Sequence, residues 1–427
     1  MKKHNKLLIV LGIVLLSAIS FFLGKESKEK DIFKEESNNI KKKDTHLNSV
    51  SMMLETGANS GNYEMTTTSS WPTEGYIFNS ELSKCENGGE LSWDNEKKVV
   101  LMSGNKSDKC YVYFDVIPTI ADTCSSGENL STCIKKFGDK GYDISKIYIH
   151  NSSLQNGAND NSYRYAGAHD VVDNFVCFGT DTKPCPDDNL YRIIGVFGDK
   201  VKLIKYDYVT KELLGEDGDY SGKYTITDIT YLGSNYANIS TYNWNKSNQN
   251  IWSMSNLNRI NLNNNFISKI GPEWEAKIAE TTWMVGGNLW NEIAGSIPCF
   301  CYKNEVIKSI QDSRSNNEIE YNAKIGLIYV SDYGFAAASS AWTTILNKYN
   351  NEFVNKINWI YMGLWEWTIT RLASNSLSTF RIGNSGYVDT SETNESFLAI
   401  RPAFYLSNSV SYLSGSGTKT NPIILAD

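Results

Sequence analysis

Eight cysteines fall in four close pairs, at 85 and 110, 124 and 133, 177 and 185, and 299 and 301. In a chain that leaves the reducing cytoplasm, such spacing predicts local disulfides, and each bridge restricts the loop it closes. Zinc ligands usually arrive as two C-x-x-C units, and the chain contains no such unit. A bridge from Cys85 to Cys110 closes a loop of about 25 residues and stabilises by roughly 3 kcal/mol in the chain-entropy picture. Cys124–Cys133 and Cys177–Cys185 are expected as two shorter loops. Cys299-Phe300-Cys301 stands apart, because cysteines this close bond each other only with strain. Free thiols, a strained bridge and pairing elsewhere all stay open for it.

Export is suggested by the first residues. Lys2, Lys3 and Lys6 precede Leu7 to Leu23, a run of 17 residues without charge. A basic start and an apolar run describe a secretory signal or a membrane anchor. Ser20-Phe21-Phe22-Leu23-Gly24 places bulky residues where a signal peptidase requires small ones, and no Cys follows for lipid attachment. The run spans about 25 Å as a helix, near the lower limit for a bilayer core, and flanking Lys side chains can snorkel. The expectation is a signal-anchor transmembrane helix over 1–24, a single pass of the cell membrane at Leu7 to Leu23, and an extracellular body. Cleavage near Gly24 is the rival. Residues 25–70 read as a disordered stalk, being charged and then rich in Gly, Asn, Ser and Thr.

Charge excludes one class of partner. The formal charge is −7 overall and −11 over residues 46–427, with no basic stripe, so no nucleic-acid partner is expected. Only four histidines occur, and His4 and His46 lie outside any expected folded region, which argues against a His-built metal site. No cofactor is called for.

Residues 71–118 read as a small all-β module. Short aromatic and β-branched runs such as Gly75-Tyr-Ile-Phe, Lys98-Val-Val-Leu-Met and Cys110-Tyr-Val-Tyr-Phe-Asp alternate with turn signals. So few residues need a staple, which Cys85–Cys110 provides, with Trp93 as the expected core residue. Residues 119–162 read as a connector with one element, Asn129 to Phe137. Beyond them, Leu190 to Phe197 and Val201 to Tyr206 predict a hairpin through Gly198-Asp199. A helix is expected over Ser253 to Ile270, with Leu257, Ile260, Phe266, Ile267 and Ile270 on one face. Lys324 to Val330, Trp359 to Trp367, Thr379 to Ile382 and Phe397 to Leu406 read as strands.

Three segments near the carboxyl end go further: Trp365-Glu-Trp-Thr-Ile-Thr-Arg, Phe380-Arg-Ile-Gly-Asn-Ser-Gly-Tyr-Val and Ile400-Arg-Pro-Ala-Phe-Tyr-Leu. They resemble the end of a C-type-lectin-like domain in a large group of bacterial surface proteins, with a W-x-x-T-R motif followed by R-P-A-x-x-L. Leu190 to Phe197, Thr281 to Gly287 and Lys324 to Gly334 are similar to further segments of that group, so the resemblance covers 163–427. It implies an α+β fold, a C-type-lectin-like domain after the small β module. The same fold is shared by the variable receptors of diversity-generating retroelements and by the formylglycine-generating enzyme. The calcium-binding tripeptides of lectins, E-P-N, Q-P-D and W-N-D, are absent from the sequence.

The resemblance also implies a binding face between the two motifs, here Ala373 to Ser396. Asn375, Arg381, Asn384, Tyr387 and Asp389 are its candidate contacts. The expected function is a membrane-anchored, surface-displayed adhesin or receptor for a host or envelope glycan or protein. Arg371 and Arg401 are expected in buried ion pairs or backbone anchoring, and Trp283, Trp365 and Trp367 in the core. Two other readings are an envelope enzyme of the formylglycine-generating type, for which only Cys299 and Cys301 are available, and a structural surface-fibre component.

Overall fold

The computed structural model describes residues 49–426, apart from 73–74, 95–96, 105–107, 226–230, 234–235, 309–317, 351–353 and 355. The chain divides into two compact units, with the boundary between Ile117 and Pro118.

The first unit contains β1 (Ser49–Glu55), β2 (Tyr63–Met65), β3 (Tyr76–Cys85), β4 (Glu90–Asp94), β5 (Val99–Ser103) and β6 (Lys109–Val116). Four of these form a sheet in the order β2-β1-β6-β3, while β4 and β5 pair with each other. β1 runs parallel to β6, matching Val50 with Cys110 and Met52 with Val112. Period-two alternation along Val50, Met52 and Leu54 turns Met52 into a core with Val112 and Phe114. Trp93 is only half-buried, stacking on Phe78 and meeting Phe114 edge-on. The Cys85–Cys110 disulfide joins β3 to β6.

The second unit contains β7 (Ile147–Ile149), β8 (Tyr163–Tyr165), β9 (Phe175–Cys177), β10 (Leu190–Phe197), β11 (Lys200–Lys205), β12 (Tyr220–Lys223), β13 (Ser240–Tyr242), β14 (Thr281–Met284), β15 (Gly287–Asn288), β16 (Glu320–Ala323) and β17 (Ile325–Gly326). It continues with β18 (Glu366–Leu372), β19 (Ser378–Ile382), β20 (Val388–Glu392), β21 (Ala403–Tyr405), β22 (Ser411–Ser414) and β23 (Ile424–Ala426). The main sheet has the order β17-β21-β11-β10-β8-β7, with β9 also pairing β10. Its centre is the β10–β11 hairpin, turned at Gly198-Asp199 as the sequence predicts. Gly195 permits a bulge there: a Cβ at this position would lie 2.3 Å from the Tyr163 carbonyl oxygen. A second sheet, β15-β18-β19-β20, carries the candidate face.

Several expectations are corrected. The expected α+β fold class does not describe the residues 49–426 that the structure places. Strands dominate the described residues, the helical segments are short, and no described helix is long and apolar enough to cross a membrane. The run Leu7 to Leu23 itself, and the whole of 1–24, lie outside the described residues. The stalk assignment fails from Ser49 onward, because β6 offers β1 a partner that local composition cannot reveal. Residues of 119–162 join the second unit's core: the helix Leu130–Gly138 packs on β10 and β11 through Cys133, Ile134 and Phe137.

Local periods also mislead. Leu257–Phe266 is π-helical, so the wider turn rotates the face away from the 3.6-residue register. Ile260 is consequently half-exposed, while Asn258 and Asn261 are buried and hydrogen-bonded to backbone carbonyls. Val330–Ala336 is a helix, not the end of a strand. Trp359 to Trp367 is a strand only from Glu366, since Gly363 at φ +95° breaks the extended run.

Candidate functional site

β18, β19 and β20 form an antiparallel meander in which Arg381 lies opposite Trp367 on one side and Asp389 on the other. Side chains at directly opposed positions share a face, so Arg381 and Asp389 are neighbours. The Arg381 guanidinium stacks on the ring of Trp365, 3.7 Å from its centroid, and lies 5.9 Å from that of Tyr387. Its Nε donates to Ser391 Oγ, and Nη1 is buried without a hydrogen-bond acceptor among the described residues. Burial lowers the Arg381 pKa, against the opposing pull of Tyr387 and Asp389.

Trp365 is met edge-on by Tyr387 at 5.9 Å and by Phe397 at 5.8 Å. All three rings remain half-exposed. Asp389 Oδ1 accepts the indole N–H of Trp290 at 3.1 Å. The structure thus brings together three of the five candidates, Arg381, Tyr387 and Asp389. Asn384 sits in the adjoining turn, where its carbonyl accepts the Tyr361 hydroxyl. Asn375 lies beyond the other end of β19, and its side chain is engaged locally with Leu377 N–H and Ser378 Oγ. Arg381 is 8% exposed, so it supports the rings from beneath more than it faces solvent.

Sequence reasoning placed Trp365 in the core and gave Phe397 and Trp290 no role at this face. The signal for Trp365 was weak, because β18 behind it is buried at every position and shows no alternation. Trp283 and Trp367 are fully buried. The motif arginines anchor the fold: Arg401 donates through Nε and Nη2 to Glu366, at 2.9 and 2.7 Å, with both residues buried. Arg371 donates to the carbonyls of Asn250 and Glu318.

Other chemistry is less well prepared. Cys299 and Cys301 are free, half-buried and buried respectively, and desolvation pushes both thiols up, Cys301 further through Glu305. Raised thiols are poor nucleophiles and poor metal ligands. The other three pairs form the disulfides Cys85–Cys110, Cys124–Cys133 and Cys177–Cys185. Among the described residues the one cluster of metal-ligand atoms, Cys85, Asp108 and Cys110, has both sulfurs in a disulfide. A concavity of 510 Å³ in the first unit includes Glu55, but that carboxylate is taken by the N–H groups of Gly61 and Val116.

The half-exposed rings offer flat apolar contact, and the neighbouring Asp389 carboxylate offers a hydrogen-bond acceptor. No Cys or His occurs between Trp365 and Phe397 to supply a nucleophile or a general base of those types. No protein-family model matches the chain, and no curated protein or solved structure matches it.

Proposed function

We propose that this chain is an exported bacterial ligand-binding protein, acting by recognition of a glycan or protein surface and not by catalysis. The observation that carries this reading is the set of three half-exposed rings, with Tyr387 and Phe397 each near a right angle to Trp365 and the buried Arg381 stacked on Trp365. Rigid aromatic faces fixed before the ligand arrives lose little entropy on binding. Three disulfides fit an oxidising compartment, and the resemblance of the carboxyl-terminal motifs to bacterial surface proteins supports the same setting.

The test is a glycan array and a host-surface binding assay with the full chain, alongside Tyr387→Ala and Arg381→Ala. Tyr387→Ala should lose most binding while the melting temperature of the second unit changes little. Arg381→Ala should also lower that melting temperature, by the equivalent of about 2 kcal/mol for a desolvated cation–π contact. Unchanged binding in Tyr387→Ala would remove the face from the reading.

A further inference from the structure

The interior of the second unit holds a lysine and an aspartate in a setting otherwise suited to apolar packing. Lys202 on β11 and Asp332 in the first turn of the helix Val330–Ala336 are 130 positions apart in sequence. Lys202 Nζ donates to Asp332 Oδ2 at 2.6 Å, and the two side chains are 0% and 3% exposed. Four rings enclose the nitrogen: Tyr329 at 4.6 Å, Trp283 and Tyr405 each at 5.2 Å, and Phe197 at 5.8 Å. A second acid, Glu305, is also buried and sits at the same helix start. Its carboxylate accepts the N–H groups of Val330 and Ser331, each at 2.9 Å, and the hydroxyl of Thr370.

We propose that Lys202 and Asp332 condense into an intramolecular amide, with Glu305 as the proton carrier. The reaction begins with proton transfer within the pair, giving a neutral amine and a carboxylic acid. The Nζ lone pair then attacks Cγ of Asp332, and the Nζ–Cγ bond forms. Glu305 takes a proton from the nitrogen and returns it to the departing Oδ1, which also receives the proton that the carboxyl first took from Nζ and so leaves as water. One Cγ–O bond breaks and one water leaves, so an ammonium and a carboxylate become an amide and water. No oxidant or co-reactant enters.

The surroundings favour each stage. The oxygen that stays as the amide carbonyl is Oδ2, which already accepts the Tyr329 N–H at 2.9 Å; that donor stabilises negative charge during attack. Fixed proximity replaces the encounter of two reactants. Burial lowers the Lys202 pKa and raises that of Glu305, favouring the neutral amine and a carboxyl able to hold a proton. Condensation also removes two charges from a dry interior, where a buried ion pair gains little over neutral groups. The product would tie β11 to a helix far along the chain, beyond the reach of the three local disulfides.

Tryptic mapping of the full chain by mass spectrometry, after reduction of the disulfides, tests this directly. Trypsin should fail to cleave after Lys202. The peptides carrying Lys202 and Asp332 should appear as one species, lighter than their sum by the mass of one water. Complete cleavage after Lys202, with both linear peptides recovered, would overturn the proposal and leave an ordinary ion pair. Glu305→Gln, checked for folding by circular dichroism, should slow bond formation about 100-fold or more, the usual scale of proton-transfer catalysis. Bond formation at the wild-type rate in E305Q would overturn the part given to Glu305. Lys202→Arg keeps the charge but cannot form the same bond, and should give two separate peptides.

Discussion

The two units solve the problem of a stable interior at very different scales. In the first, the apolar side chains that are fully covered are few: Met52, Val112 and Phe114, beside Cys110, with Trp71, Phe78 and Trp93 half-covered around them. In the second, Trp244, Trp252, Trp283, Trp342, Trp359 and Trp367 are buried together with Arg164, Arg192, Arg371 and Arg401. A small unit keeps much of its surface wet and depends on a crosslink, whereas a large one covers enough apolar area to tolerate desolvated charge. The contrast teaches where each unit is weak: the first at its staple, the second at its buried charges.

The largest expected effect breaks a charge in the second unit. Glu366→Gln leaves Arg401 buried without its counter-ion and should cost about 3–5 kcal/mol. Calorimetry should show the second unit's transition displaced downward and the first unit's unmoved. An unmoved second transition would mean that the pair contributes little there.

Next in size is the staple. Cys110→Ser opens the 25-residue separation of Cys85–Cys110 and should cost roughly 3 kcal/mol in the chain-entropy picture. That is enough to unfold the first unit while the second stays folded. Opening Cys124–Cys133 or Cys177–Cys185, with separations of 9 and 8, should cost about 2.5 kcal/mol each and leave the second unit folded. If either of these proves more damaging than the first, the scale argument fails.

The smallest effect is a difference in acid response. Residues 49–117 contain no histidine, whereas the second unit buries His150 and half-buries His169. Burial, then the Arg164 charge, holds His150 well below its ordinary value; burial, then Arg192, brings His169 down to about 3. Below the ordinary histidine pKa the unfolded chain binds protons that the folded unit refuses, so stability is lost as pH falls from there towards the folded values. The second unit's melting temperature should decline across that window while the first unit's stays flat until carboxylates titrate. His169→Gln should shallow the decline, and an equal slope in wild type and variant would refute the assignment.

Within the fold, legibility followed distance along the chain. The β10–β11 hairpin was readable because a Gly-Asp turn and two alternating runs are adjacent. The three disulfides were readable because each pair closes a short loop. The candidate face was half legible: the meander carried Arg381, Tyr387 and Asp389 together, but the exposure of Trp365 and the burial of Arg381 depend on rings and strands elsewhere.

By itself, then, the sequence determined the cysteine-tied loops, the turns, the acidic charge and most of the local strands, since these depend on residues a few positions apart. Only the tertiary structure decided that Ser49–Glu55 pairs parallel to β6, that Leu257–Phe266 widens into a π-helix with buried asparagines, and that Lys202 meets Asp332 across 130 positions. Each of these depends on which distant segment wins a buried place. That competition is settled by packing and desolvation over the whole unit, and no local period records it.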